Sequence, residues 1–374
     1  MITRQLTKNI LSRQKSGFIN IIYGPRRVGK TVLLSQLTTK TPKSDVIWFN
    51  GDDEDTRLAL SSTSQTKISK LIQKYGIIVI DEAQRIDNIG LVLKIMIDSF
   101  PEKCFYVSGS LSLKLAHGIQ EPLTGRFQQY LLYPLSTPEL GQGLILHQLS
   151  ALLPDQLQFG GYPYLQQLPS SAEKQDYLRM IIKSYLFRDL LLLKDIGRPE
   201  ALYKLAVLLS FQVGSKVSIN ELASALGIDA KTVTSYLYLL KQGFIIFELG
   251  SYSTNLRKEV AKSRKYYFWD LGIRNSLIGQ FTQLDLRNDI GQLWENFVAI
   301  ERIKHNSYGG TQPNYYFWRS YEQAEVDWLE EDSGHLVAYE FKYGSIAKTP
   351  KLFKQSYNTS VLTINKDNYL NFIT

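Results

Sequence analysis

Gly24-Pro25-Arg26-Arg27-Val28-Gly29-Lys30-Thr31 satisfies the phosphate-loop pattern G-x-x-x-x-G-K-[ST] at every fixed position. The flanking sequence gives that pattern its physical meaning. Residues 18–23 form an apolar run that predicts a short buried strand, and residues 31–37 carry the apolar spacing of a helix. A strand–loop–helix unit lets successive backbone N–H groups wrap a triphosphate at a helix N-terminus, where the dipole favours anions. Lys30 is expected to reach the β- and γ-phosphates, and the Thr31 hydroxyl to ligate Mg²⁺. The loop therefore predicts a site for ATP or GTP.

Some fifty residues on, Tyr75-Gly76-Ile77-Ile78-Val79-Ile80-Asp81-Glu82 reads as a central parallel strand covered on both faces. Its end delivers two carboxylates to the sheet edge where open α/β folds bind ligands. Asp81 is expected in the Mg²⁺ shell and Glu82 beside the attacking water. A third strand, residues 104–108, ends in Ser108-Gly109-Ser110. Ser108 reads equally as a sensor of the γ-phosphate and as a polar turn. Leu123-Thr124-Gly125-Arg126-Phe127 follows; Arg126 is either a surface arginine or a guanidinium that stabilises phosphoryl transfer from a neighbouring subunit.

The chain has 374 residues, enough for two or three domains, with 44% hydrophobic content and a formal charge of +8. No apolar run reaches the length of a membrane span, and no signal peptide opens the sequence. Cys104 is the single cysteine, which excludes an intramolecular disulfide or a cysteine-cluster metal site. These features predict a cytoplasmic protein without a membrane partner. The positive charge permits a nucleic-acid partner without demanding one.

In this order, the phosphate loop, the apolar-Asp-Glu strand, Val107-Ser108-Gly109-Ser110 and the Gly125-Arg126-Phe127 segment resemble an AAA-type ATPase core. The closest likeness is to prokaryotic ATPases that begin Gly-Pro-Arg-Arg-x-Gly-Lys-Thr. The resemblance implies that Arg126 acts across a subunit interface, hence a homo-oligomer, either a ring or a dimer. No second sensor arginine stands out.

Residues 134–163, rich in proline, glycine and leucine, predict a hinge, with a break at Gly160-Gly161-Tyr162-Pro163. A helix is expected over 175–193, with Arg188 and Asp189 in structural roles. Residues 218–228 then read as the first helix and turn of a helix-turn-helix, with Ser218 and Glu221 as a capping box and Gly227 in the turn. Asp229 is placed to cap a second helix, 231–242, whose Val233, Tyr236, Leu237 and Leu240 form its apolar stripe. Strands over 244–249 and 265–269 complete a winged-helix order. Arg257, Lys258, Lys262, Arg264 and Lys265, opposed by Glu259, form a basic loop suited to touching DNA phosphates. Protein docking is the alternative use of such a module.

The last hundred residues predict an αβββαβ order: a helix over 289–303 carrying Glu295, strands over 315–319, 324–331 and 335–342, a helix, and a strand over 360–364. If Ser333-Gly334 is a two-residue turn, Asp332 faces His335, Asp327 lies opposite Glu340, and Glu325 opposite Lys342. Opposed residues share a sheet face with Cβ atoms about 5 Å apart. Two carboxylates so placed repel unless a cation joins them. Lys342 on the same face is positioned to polarise a water or a phosphate oxygen, which together supplies the parts of metal-assisted phosphodiester hydrolysis. A solvated hairpin with alternating charges is the plainer reading.

Trp294-Glu295-Asn296-Phe297, Glu325-Val326-Asp327 and Glu340-Phe341-Lys342 are similar to the PD-(D/E)xK nuclease superfamily, nearest its Holliday-junction-resolvase-like branch. That resemblance implies metal ligation (Mg²⁺ or Mn²⁺) by Glu295, Asp327 and Glu340, a catalytic Lys342, and an assisting role for Gln355. With Tyr267-Phe268-Trp269-Asp270-Leu271-Gly272-Ile273-Arg274, the whole order resembles prokaryotic AAA ATPases that end in a domain of unknown function. The expected organisation is an α/β AAA-type ATPase core with a parallel sheet over 1–155, a helical linker or lid over 156–198, a winged helix over 199–272 and a nuclease-like α/β domain over 273–374. An ATP-driven oligomer that binds and cuts DNA is the first functional expectation. A nucleotide-dependent switch or scaffold with an inactive nuclease-like domain is the second, and a small-molecule kinase the third.

Overall fold

Strand β1 (Ile19–Tyr23) lies between β4 and the edge strand β5 in a five-stranded sheet of order β2-β3-β4-β1-β5. The other strands are β2 (Val46–Asn50), β3 (Ile77–Asp81), β4 (Cys104–Gly109) and β5 (Phe127–Leu131). Every pairing among them is parallel. This architecture is that of a computed structural model that describes residues 2–109, 123–185, 190, 197–253, 264–320, 322–344 and 350–374. The chain divides into two units, Met1–Tyr133 and Pro134–Thr374.

In the first unit the sheet is accompanied by helices α1 (Gln5–Ser12), α2 (Lys30–Thr38), α3 (Glu54–Leu60), α4 (Gln65–Ile72) and α5 (Ile89–Ser99). Ile21, Ile78, Ile80, Phe105 and Val107 from the strands pack with Val92, Leu93 and Met96 of α5. Each such fully buried aliphatic side chain stabilises the fold by about 1.5–3 kcal/mol. Cys104 is buried at the start of β4, as its apolar setting predicts. Parallel strands end together, so Tyr23, Asp81 and Gly109 arrive at one edge of the sheet.

The second unit is built on a seven-stranded sheet of order β12-β11-β10-β9-β7-β8-β6. Its first strands are β6 (Lys216–Val217), β7 (Ile246–Ser251) and β8 (Arg264–Phe268), and the others are β9 (Asn314–Arg319), β10 (Glu325–Asp332), β11 (His335–Phe341) and β12 (Val361–Ile364). Helices α6 (Leu153–Phe159), α7 (Ser171–Tyr185) and α8 (Pro199–Phe211) precede β6, and α9 (Ile219–Leu226) and α10 (Ala230–Gln242) lie between β6 and β7. Helices α11 (Leu271–Leu277), α12 (Ile290–Gly309), α13 (Lys351–Tyr357) and α14 (Tyr369–Ile373) follow in the chain. Strand β7 pairs in parallel with β9 through Gly250↔Tyr316 and Ser251↔Phe317. One sheet therefore spans segments that the sequence suggests as separate modules on either side of residue 272.

Of the two local expectations, the hairpin register is met, and the capping box at Ser218 forms only in its Ser218 half, without the return bond from the Glu221 side chain. Ser218 accepts from the Glu221 N–H at the start of α9, Gly227 takes the left-handed turn, and Asp229 caps α10 by accepting from the Thr232 N–H. Val233, Tyr236, Leu237 and Leu240 are buried. In the terminal hairpin, Asp332 faces His335 and Trp328 faces Tyr339, the register that a Ser333-Gly334 turn dictates.

The hinge at Gly160-Gly161-Tyr162-Pro163 is not what forms. Gly160, Gly161 and Tyr162 are buried, Gly161 N–H donates to Asp270 Oδ2 (2.8 Å), and Leu135 N–H donates to the Gly161 carbonyl (2.7 Å). The glycines serve close packing against a buried carboxylate rather than mobility. The helix expected over 289–303 extends to Gly309. Ser110, Arg188, Asp189, Arg257, Lys258, Glu259 and Lys262 lie outside the described residues. No helix among the described residues is long and apolar enough to cross a membrane.

Candidate functional site

The phosphate loop leaves β1 at Tyr23 and enters α2 at Lys30, with left-handed Gly29 as the N-cap. Gly24 is required by packing: a Cβ there would stand 2.3 Å from the Leu132 carbonyl oxygen. Lys30 is buried, and its Nζ donates to the carbonyls of Gly24 (3.1 Å) and Pro25 (2.9 Å), so the ammonium lies within the loop. Val28 and Pro25 are buried, Arg26 is half-buried and Arg27 is exposed with a positive φ.

Across the sheet edge, Thr31 Oγ1 donates to Asp81 Oδ2 at 2.6 Å. The other Asp81 oxygen accepts from the Ser108 hydroxyl and from the Glu82 N–H (3.1 Å). Ser108 is fully buried and its hydroxyl is engaged with Asp81, which orients the carboxylate. Glu82 takes a left-handed conformation and receives Gln84 Nε2 on its carboxylate at 2.6 Å. A hydroxyl and a carboxylate from two elements, held together beside a lysine and a helix N-terminus, make the hard-oxygen donor set that fits Mg²⁺ and a phosphate chain.

Arg126 lies elsewhere. Its carbonyl accepts from the Ile19 N–H at the start of β1, whereas the phosphate loop follows the far end of that strand. The strand's length, roughly 16 Å, separates the two backbones. Arg126 is half exposed and paired with Asp98 of α5. The structure does not bring it to Thr31, Asp81 or Glu82 of its own chain.

Arg4 belongs to the site although no sequence pattern selects it. It is 2% exposed, and its guanidinium donates to the carbonyls of Val28 and Tyr133, each at 2.6 Å. It thereby ties the phosphate loop to the end of the first unit. A lone arginine before an amphipathic helix carries no periodic or motif signal.

The carboxyl-terminal residues form a second charged centre. Asp327 is buried on β10 and accepts from the Phe341 N–H at 2.9 Å. Lys342 Nζ sits 2.8 Å from Glu340 Oε1 and 3.4 Å from Asp327 Oδ2. Glu340 Oε2 is buried without a hydrogen-bond partner. Burial and the neighbouring Asp327 push the Glu340 carboxyl above its ordinary range. Burial works against the Lys342 ammonium, but Asp327 and Glu340 outweigh it and hold its pKa above the usual lysine value.

Glu295 does not join Asp327 and Glu340 as expected. Among the described residues no group of three or more His, Cys, Asp or Glu side chains is gathered to hold a metal ion. The Glu295 carboxylate on α12 is engaged instead by Tyr267 Oη (2.7 Å) and Lys265 Nζ (3.4 Å). It also lies against Gly214, where a Cβ would come within 2.7 Å of it. Burial pushes its carboxyl up to about 7, with Lys265 opposing. Glu325 likewise turns away from Lys342, pairing with Lys265 (2.5 Å) and Arg319 (3.2 Å).

Lys265 itself overturns part of the expected DNA-contacting loop. Instead of standing in solvent it is 1% exposed, because strand β8 is paired on both sides, by β7 and β6, and Glu295, Phe317 and Glu325 cover the ammonium. Arg264 is paired with Glu248 at 3.4 Å. Gln355 is exposed on α13.

Comparison with known proteins accords with this layout. Three family profiles match: an AAA domain over residues 16–141, a domain of unknown function (DUF8612) over 150–284, and another (DUF4143) over 290–369. The uncharacterized protein Rv2008c of Mycobacterium tuberculosis is 30% identical over 329 residues, which covers 86% of this chain and 69% of the relative. An uncharacterized protein of Haemophilus influenzae is 23% identical, covering 99% of this chain and 92% of that protein. Among solved structures, a Walker-type ATPase of Pyrococcus abyssi superposes with a TM-score of 0.50 at 16% identity, covering 74% of this chain and 96% of that one. That likeness concerns the fold alone. The chain belongs to the family of the mycobacterial protein Rv2008c, and its amino-terminal unit is a P-loop ATPase domain of the AAA type.

Proposed function

We propose that this protein binds and hydrolyses ATP as a homo-oligomer, and that its second unit binds DNA and cuts it with a divalent ion. The observation that carries the nucleotide reading is the Thr31–Asp81 hydrogen bond beside Lys30, held in place by Ser108. In this reading the loop N–H groups and Lys30 bind the phosphates, while Thr31 and Asp81 hold Mg²⁺. Held by Thr31 and Asp81, Mg²⁺ would supply charge neutralisation for the phosphate chain. Glu82, fixed by Gln84, orients the attacking water and accepts its proton. Arg126 serves a neighbouring subunit's site. Steady ATP turnover tests this: Lys30→Ala and Glu82→Gln are both expected to abolish it, the latter with ATP binding retained. Turnover by both variants would remove the assignment.

The DNA reading is supported by the helix-turn-helix of α9 and α10 and by a groove of about 600 Å³ bordered by Arg198, Lys231, Thr232 and Ser235. Cleavage is supported by Asp327, Glu340 and Lys342 on one hairpin face, with Glu340 Oε2 left for a ligand. In that role Asp327 and Glu340 hold Mg²⁺ or Mn²⁺, and Lys342 steers the phosphate or the water. A second reading, a nucleotide-dependent switch or scaffold that binds without cutting, is favoured by the pairing of Asp327 and Glu340 with Lys342 and of Glu295 and Glu325 with Lys265. Supercoiled, linear and branched DNA incubated with Mn²⁺ separates the two. Loss of cutting in Asp327→Ala and Lys342→Ala supports the nuclease, and identical behaviour of all three proteins supports the scaffold.

A further inference from the structure

Lys265 reaches the terminal charged centre from a strand that carries none of its other members. On β8 it lies opposite Leu249 of β7 and Lys216 of β6. Its side chain is 1% exposed, with Nζ 2.5 Å from Glu325 Oε1, 3.4 Å from Glu295 Oε1 and 5.2 Å from the Phe317 ring centroid. Glu295 and Glu325 come from α12 and β10, so the same ammonium joins two separate elements. The surroundings are built to keep it there. Tyr267 Oη holds the Glu295 oxygen that faces Lys265, and Arg319 holds the other oxygen of Glu325.

Two carboxylates that converge on a buried point, here Glu295 and Glu325 at 16% and 25% exposure, require a cation, because their mutual repulsion otherwise favours taking up a proton. A divalent ion is one solution and a fixed ammonium is another. We propose that Lys265 is a resident cation of the terminal site, occupying the position between Glu295 and Glu325 and excluding a divalent ion from it. The inference deepens the phosphodiester reading of this site and rests on it for its biological meaning. It limits divalent-ion chemistry to the Asp327–Glu340 side, where Lys342 is 39% exposed while Lys265 is sealed from solvent. It also assigns Glu295 to orienting Lys265, which makes both of them positioning residues.

The test is a count of bound Mn²⁺ on the full chain, freed of nucleotide and treated with chelator, read from the electron paramagnetic resonance of free Mn²⁺ at pH 8. Lys265→Met keeps an apolar stem against Phe317 but vacates the Nζ position. It is expected to bind one more Mn²⁺ per chain than the wild type, and Lys265→Arg the same number as the wild type. The extra ion should vanish in Lys265→Met/Glu325→Gln. A folded Lys265→Met protein with no added ion overturns the inference, and if that variant does not fold, Lys265→Gln carries the same readout. Should the wild type bind no Mn²⁺ while Lys265→Met binds one, the resident cation stands and the metal role of Asp327 and Glu340 falls.

Discussion

Thr31 at the start of α2 and Asp81 at the end of β3 meet through a 2.6 Å hydrogen bond, although fifty residues separate them in the chain. Parallel pairing of β3 with β4 and of β4 with β1 carries Asp81 to the phosphate loop. Ser108, at the end of β4, then fixes the carboxylate from its other side. Ser108→Ala leaves that oxygen with the Glu82 N–H alone. The expected outcome is a Mg²⁺ requirement raised about tenfold, the equivalent of one hydrogen bond to a charged group. Metal-free nucleotide binding should be unchanged. A Mg²⁺ titration of turnover checks this, and an unshifted curve would separate Ser108 from the metal position.

Arg4 presents a different case, since it acts on the loop through Val28 rather than on the nucleotide. Removing the guanidinium leaves the Val28 and Tyr133 carbonyls without two strong donors. Arg4→Ala is expected to raise the KM for ATP by about tenfold or more, with kcat changed much less, because a loosened loop must be ordered by the ligand. Arg4→Lys should recover part of the loss. Equal falls in kcat with KM constant would assign Arg4 to chemistry, contrary to its placement.

The contrast between Thr31 and Arg4 marks what the sequence carries. The phosphate loop, the apolar run into Asp81 and the hairpin register at Asp332–His335 are local patterns, set by spacing and turn chemistry within a few residues. Long-range pairing is not. The parallel β7–β9 contact, Gly250 with Tyr316, has no sequence signature, yet it joins β9 and β10 to the sheet of β8, where Phe317 and Glu325 cover Lys265. Lys265, which the sequence counts in a basic loop suited to DNA phosphates, is therefore a buried counter-ion of Glu295 and Glu325. Glu295 was displaced from the expected metal set for the same reason, because Lys265 and Tyr267 arrive together on β8.

Arg126 allows a sharp test of assembly. It is paired with Asp98 at the opposite end of β1 from the phosphate loop, so a catalytic part requires a second chain. Arg126→Ala and Glu82→Gln should each be inactive alone. Mixed, they are expected to regain some turnover, because a hybrid interface joins an intact Glu82 to an intact Arg126. Full activity in a monomeric fraction on size-exclusion chromatography would rule out the role.

Asp270 supplies a pH dependence with a defined sign. It is buried, accepts from the N–H groups of Gly161 and Ile273, and burial pushes its carboxyl up to about 6 from its ordinary value of 3.8, with those bonds and Lys304 opposing. The folded state therefore holds this proton more tightly than the unfolded chain. Its stabilising contribution is complete below pH 3.8 and is lost as the pH rises through 6. That difference in proton affinity corresponds to about 3 kcal/mol. Asp270→Asn loses one backbone bond at every pH, which lowers stability overall, but it cannot titrate. The wild-type advantage in urea unfolding should thus shrink by up to about 3 kcal/mol between pH 4 and pH 7. Parallel wild-type and variant curves over that interval would show that Asp270 is ionised in the folded protein throughout.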